Sequence, residues 1–247
     1  MSEFSEPAYR QIISSFVSAG YTTVGFDSPR PQARQFILRH DIDFSLEHAT
    51  RQAEINAELG VQATFFFLAT TEHYNLFGAA GRQCLRSMKA NGQWIGIHLD
   101  VADYDAGMDI DKIAKHELML FAAILGGSPA AISFHRPVPA LLGRSGTLAG
   151  LPHAYEPRFI SDVDYCSDSN GAFHHGHPLE REAFRLGKPM QLLTHPIWWM
   201  DLPAGAPLSR LDHLLHRKQA ALQQSFARNC KLYAAHHNEV TEVGPST

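Results

Sequence analysis

An α/β fold on parallel strands is what this chain predicts, and three observations carry that reading. Several short runs are apolar on nearly every residue and rich in β-branched and aromatic side chains, as strands buried on both faces of a parallel sheet are. Longer segments of helical period separate these runs, giving the order strand, helix, strand, helix. The length of 247 residues suits one substantial domain with a well-buried core, so a single domain over residues 1–247 is expected.

The strand runs in order are "QFILRHD" (35–41), "VQATFFFL" (61–68), "QWIGIHLD" (93–100), "AAISFHRP" (130–137), "RFISDVDYC" (158–166) and "MQLLTHP" (190–196). Between the first two, "SLEHATRQAEINAELG" reads as a helix, with Ser45 as N-cap, Glu47 in the first turn and Gly60 just past the end. A weaker helical pattern lies in "GRQCLRSMKAN". In "DIDKIAKHELMLFAAILGG" the stripe Ile110, Ala114, Leu118, Phe121 and Leu125 predicts an apolar face, with Asp109 as cap and Gly126 as stop. "LSRLDHLLHRKQAALQQSFARN" repeats the pattern through Leu208, Leu211, Leu215, Leu222 and Phe226.

Composition narrows the function. Hydrophobic residues make up 45% and charged residues 19%, a globular profile. A formal net charge of -4 without any Lys/Arg block gives no basis for capturing nucleic acid or an anionic membrane. The first residues lack a basic segment followed by an apolar core, and no apolar run approaches a membrane span. Cys84, Cys166 and Cys230 are scattered and have no metal-ligand spacing, which fits a reducing compartment. A cytoplasmic protein is the expectation. The 15 histidines are many for this length.

Those histidines recur where chemistry would need them. In "RHDID" the alternation of a strand turns Asp41 and Asp43 to one face and His40 and Ile42 to the other. Two carboxylates on one face repel unless a cation relieves them or water solvates a turn there. Later runs also end in reactive polar residues: His98 and Asp100, His135 and Arg136, Asp164 and Asp168, and His195. In a parallel α/β barrel all C-terminal strand ends share one face, so these residues would converge. Acids, imidazoles and an arginine gathered in one place suit a hydrolase using Zn²⁺ or a similar ion.

"RHDID", "IGIHLD", "SFHRP", "YCSDS" and "LTHP" resemble, in order, the motifs of the polysaccharide deacetylases, the NodB-homology domain of carbohydrate esterase family 4, in its divergent branch with an HDVD-like signature. The similarity runs from about Phe36 to His195. It implies a distorted (β/α) barrel of about seven parallel strands, a divalent metal ion, Zn²⁺ in the first instance, and removal of an acetyl group from an N-acetylated sugar or polysaccharide precursor. Carried over residue by residue, it makes Asp41 the general base and Asp43 a metal ligand, although Ile42 separates a pair that is adjacent in most of the family, so the two roles could be exchanged. His98 becomes a ligand. Arg136 would pair with Asp41 and orient it, and His195 would be the general acid, oriented by Asp168 or, failing that, Asp164.

The departure is at position 102, where Ala replaces the second histidine of the second motif. His135 is preferred narrowly over Asp100 as the third ligand, and a break at Pro137 would let His135 and the adjacent Arg136 reach one site. Trp198 and Trp199 directly follow His195 and are candidate stacking surfaces for a sugar, with packing under a loop as the equal alternative. "TFFFL" reads as core, His40 as core or support, and His174, His175 and His177 as a surface loop. Two rival functions stand beside deacetylation: another C–N amidohydrolase of the allantoinase type, and an inactive barrel that binds glycan.

Overall fold

A computed structural model describes residues 4–28, 30–104, 107–200 and 206–235. The chain divides into two compact units, Met1–Asp201 and Leu202–Thr247, and all the strands described lie in the first.

The first unit opens with a helix that the strand-run reading passes over, α1 (Glu6–Ser18), capped by the Ser5 side chain and burying Tyr9, Ile12, Ile13 and Phe16. Then follow β1 (Thr22–Thr23), β2 (Gln35–Ile42), α2 (Leu46–Glu58), β3 (Thr64–Phe67), α3 (Ala79–Ala90), β4 (Trp94–Asp100), α4 (Ile110–Leu125) and β5 (Ile132–His135). The short helix α5 (Pro157–Ile160), β6 (Asp164–Ser167), α6 (Glu182–Leu186) and β7 (Met190–Thr194) complete it. The sheet order is β5-β4-β3-β2-β7-β6, with β1 paired to the start of β2, and every pairing is parallel. This is an α/β fold whose sheet curls as a half-barrel, with β2 central between β3 and β7.

Local chemistry accounts for the expected elements. Ser45 accepts a hydrogen bond from the His48 amide and starts α2, and Asp109 caps α4 through the Asp111 amide. Gly126 ends α4 at φ 65°, in the left-handed region that glycine enters without a Cβ clash. All four residues of β3 are buried, as core phenylalanines on a strand covered on both faces should be. On the outer face α2 packs against β2 and α3, and α3 and α4 against β4.

Three expectations are corrected. The run 158–166 is not one strand: Pro157 starts a helical turn, and the strand begins only at Asp164. On α4 the buried stripe is Ile113, Ala114, Glu117, Phe121 and Leu125, so Ile113 and Glu117 take the inward places read for Ile110 and Leu118. In the second unit, α7 (Pro207–Asn229) buries Arg210 and Leu214, whereas Leu208, Leu215, Leu222 and Phe226 are 55–70% exposed. The apolar stripe of that helix is offset from its buried face.

A floor lies beneath the strand ends. Gly96 on β4 pairs in register with Phe66 on β3, and a Cβ at Gly96 would lie 2.4 Å from two carbons of the Phe66 ring. Only hydrogen fits there, so Phe66 spreads across the interior and comes under the Arg39 guanidinium, 5.5 Å from its ring centre.

Candidate metal and acid–base site

Strand alternation places Arg39, Asp41 and Asp43 on the inner face at the C-terminal end of β2. Arg39 grips Asp41 with two parallel hydrogen bonds, Nε to Oδ1 at 2.9 Å and Nη2 to Oδ2 at 2.7 Å. Both side chains are buried, at 0% and 3% exposure. Arg39 Nη2 also donates to the Tyr155 hydroxyl, and the guanidinium lies over the rings of Tyr155 and Phe66. Burial alone would raise the Asp41 pKa, but the charge of Arg39 and its hydrogen bonds outweigh it and leave Asp41 below the ordinary carboxylate value.

Arg136 is therefore not the partner of Asp41. Its backbone sits at φ 49° immediately before Pro137, and its guanidinium turns away onto Asp100 and Asp103. The chain break anticipated at Pro137 is present, but it sends Arg136 outward. The arginine that holds Asp41 is instead Arg39, two residues away on the same strand face.

Asp43 lies in a cluster nearer the surface than Asp41. His98 Nε2 is 3.2 Å from Asp43 Oδ1 and 3.6 Å from Asp41 Oδ2, and His135 Nδ1 is 3.5 Å from Asp43 Oδ1. His98 is held from behind by Ser133, whose Oγ is 2.6 Å from Nδ1. With the proton assigned to Nδ1 as donor to Ser133, the Nε2 lone pair faces the aspartates. Burial lowers the His135 pKa in spite of Asp43 beside it, which favours the neutral, ligating form. One ligand atom each from Asp43, His98 and His135 lie within 4.8 Å of one another.

The donor set fits a cation. Asp43 Oδ1 is buried and makes no hydrogen bond, although two imidazole nitrogens face it. An uncompensated buried carboxylate oxygen is costly, and a metal ion is one partner that satisfies it together with both nitrogens. Asp100 is outside this trio: it pairs in register with His135, but its carboxylate is taken by Arg136.

His195 closes the site from β7. Its Nδ1 is 2.6 Å from Asp168 Oδ1, and its Nε2 is 3.9 Å from Asp43 Oδ2. Burial works against the charged ring, but Asp168, with smaller help from Asp43 and Asp41, raises the pKa to about 9. Asp168 is fully buried and also accepts from the His195 amide and from Trp199 Nε1 at 2.6 Å. Trp199 thus belongs beneath the acid. It is 1% exposed and packs against Phe4, Tyr9 and Phe173, and Trp198 is 6% exposed, so neither indole face is open for a sugar to stack on. Asp164 sits at the opposite end of β6, paired with Arg181.

A cleft of about 320 Å³ opens beside the trio, lined by Asp43 and His135 of the three together with Phe44, Glu72, Asp103 and Arg136 among others. A larger cavity of about 610 Å³ lies near the start of β6 and includes His175 and His177. The loop histidines are thus apart from the cluster of Asp43, His98 and His135, and His174 spends its Nε2 on the Ser169 carbonyl.

Fold and site together define an α/β half-barrel whose strand ends carry a two-histidine, one-aspartate cluster between an arginine-locked aspartate and an aspartate-held histidine. No protein-family profile and no curated protein matches the chain. Among solved structures it is similar to the chitin deacetylase of the fungal pathogen Colletotrichum lindemuthianum, at 16% identity over 80% of this chain and 86% of that one, with a TM-score of 0.44. It is also similar to the Streptococcus pyogenes deacetylase PplD in complex with acetate, at 13% identity, 85% and 86% coverage and a TM-score of 0.43. A third similarity is to a Bacillus anthracis protein described as a carbohydrate esterase family 4 pseudoenzyme, at 14% identity, 75% and 60% coverage and a TM-score of 0.36. Among the described residues no helix is long and apolar enough to cross a membrane.

Proposed function

We propose that this protein is a metal-dependent amide hydrolase that removes the acetyl group from an N-acetylated sugar. The observation that carries the reading is the orphaned Asp43 Oδ1, faced by His98 and His135 and flanked by Asp41 on one side and His195 on the other. Asp43, His98 and His135 would hold the ion, for which the mixed nitrogen and carboxylate donors suit Zn²⁺, and the bound ion would acidify a water and polarise the acyl oxygen.

The remaining work falls to the chain itself. Asp41, kept ionised by Arg39, accepts a proton from the attacking water. The bidentate contact fixes the plane of the carboxylate, so the base is already in position when substrate arrives. His195 carries a proton at neutral pH because its pKa is raised to about 9, and it can give that proton to the departing nitrogen from Nε2. Amines leave poorly without one. Asp168 and Trp199 keep the ring turned so that Nε2 is the free end.

The test is metal content together with acetate release from N-acetylated sugars. Near-stoichiometric Zn²⁺ or a similar ion is expected, with activity lost to a chelator and restored by added metal; full activity in metal-free protein contradicts the reading. Turnover of ureides without acetate release would move the reaction to the allantoinase type. Sugar binding with neither metal nor turnover would leave a glycan-binding barrel.

A further inference from the structure

Displaced from Asp41, Arg136 is left with a different task. We propose that Arg136 reads the substrate at the mouth of the cleft and that, with the carboxylates around it, it selects an uncharged N-acetylated sugar over the same sugar carrying a phosphate. This rests on the hydrolase reading above and narrows its substrate class.

Arg136 is held in an unusual way. A non-glycine residue in the left-handed region is strained, and such strain gathers at ligand sites where surrounding contacts enforce it. Here the enforcing contacts are Nε and Nη2 on Asp100 and Nη2 on Asp103 at 2.7 Å. That arrangement leaves Nη1 as the uncommitted end of a side chain that is 54% exposed and lines the cleft. The guanidinium is therefore oriented by two acids and presents one donor group to whatever enters.

Charge decides what that donor can take. A lone arginine would attract a phosphate, but this one is outnumbered by Asp100 and Asp103, and Glu72 and Asp43 add two more carboxylates to the lining. Four acids against one guanidinium leave the cleft negative, and a divalent ion at Asp43 would not reverse the sign. A phosphate would meet repulsion there, while a hydroxyl or carbonyl oxygen can accept from Nη1 without bringing charge. Size points the same way: about 320 Å³ is at the small end for ligand pockets, suited to one sugar with its acetamide, and Phe44 offers an apolar wall for the ring.

The probes are N-acetylglucosamine and its 1-phosphate, titrated into the purified protein and followed by ligand-observed NMR immediately after mixing. Metal content and acetate release are measured in parallel. The neutral sugar should bind at least about tenfold more tightly than the phosphate. Arg136→Met should weaken the neutral sugar about tenfold, the loss of one hydrogen bond to a charged donor. Asp103→Asn, which removes one repelling carboxylate at an exposed position, should shrink the discrimination against the phosphate. Equal or tighter binding of the phosphate overturns the proposal, as does no binding of the neutral sugar or an unchanged affinity in Arg136→Met. Selective binding of the neutral sugar without acetate release would keep this inference and sink the hydrolase reading. Faster acetate release from the phosphate-bearing sugar would do the reverse.

Discussion

Along β2, His40 points to one side of the sheet and Arg39 and Asp41 to the other, and the two faces satisfy their polar groups differently. On the outer face His40 is enclosed by neutral partners. With the proton on Nδ1 it donates to Thr194 Oγ1 at 2.7 Å and accepts at Nε2 from Asn56 Nδ2 at 3.0 Å, while Tyr9 donates to Asn56 Oδ1. Burial pushes its pKa down to about 3, so it stays uncharged. The inner face holds full charges, Arg39 against Asp41 and His195 against Asp168, and leaves Asp43 Oδ1 without a hydrogen bond. The outer network leaves Gln52 Oε1 without a partner and the inner one leaves Asp43 Oδ1 and Arg39 Nη1, so the faces differ in charge, with neutral groups outside and ion pairs inside. A single strand can thus carry neutral hydrogen bonds on one side and full charges on the other, with residue parity deciding which.

The largest effect should come from the charged side. Asp41→Asn is expected to keep its metal and lose about 10²–10⁴-fold in acetate release, the usual loss when a general base is removed. Steady-state kinetics with metal analysis checks this. If the substitution strips the metal while Asp43→Asn retains it, the two aspartates have exchanged roles.

Next in size is the lock on that base. Arg39→Met leaves a buried carboxylate without its cation, and breaking a buried pair costs about 3–5 kcal/mol. Urea unfolding should show a large fall in midpoint for Arg39→Met and almost none for Arg136→Met. A similar fall in both would mean that the two arginines are not the buried and exposed members of the comparison.

Per pH unit the effects are smaller, and they should have opposite signs on the two faces. The His195 pKa is raised from 6.5 to about 9 in the folded protein, so its contribution to stability is complete below pH 6.5, declines as pH rises and is gone above 9. The His40 pKa is lowered to about 3, so its contribution is complete above pH 6.5 and is lost as pH falls towards 3. Each slope is at most about 1.4 kcal/mol per pH unit. In metal-depleted protein, His195→Gln should flatten the alkaline limb of the stability profile and His40→Gln the acidic limb. The same limb changing in both variants would erase the distinction.

How much of this was legible in the sequence depended on how local each signal was. Apolar runs with polar ends gave β2, β3, β4 and β7 close to their bounds, because a strand buried on both faces has almost no polar residue until it emerges. The juxtaposition of Asp43, His98 and His135, and of His195 with Asp168, was also foreseeable, since parallel strands deliver their C-terminal ends to one place. Arg39 was missed although the signal was present: the parity that groups Asp41 with Asp43 groups Arg39 with them too. Arg136 was misplaced because a left-handed residue before proline redirects a side chain, and no periodicity reports a positive φ. Trp199 was misread for a similar reason. The turn Pro196–Trp198 carries the indole underneath Asp168, and adjacency to His195 does not show it.

The glycine at position 96 sets a limit on redesign. Any side chain there must displace the Phe66 ring, and Phe66 supports the guanidinium that holds Asp41, so a change at this position would be felt at that carboxylate. The floor is in effect a fixed tooling surface. Variants that reshape the cleft should be sought at its rim, among Thr70, Thr71 and Glu72, where the lining comes from residues outside the strands and new shapes can be tried without disturbing Asp41 or Arg136.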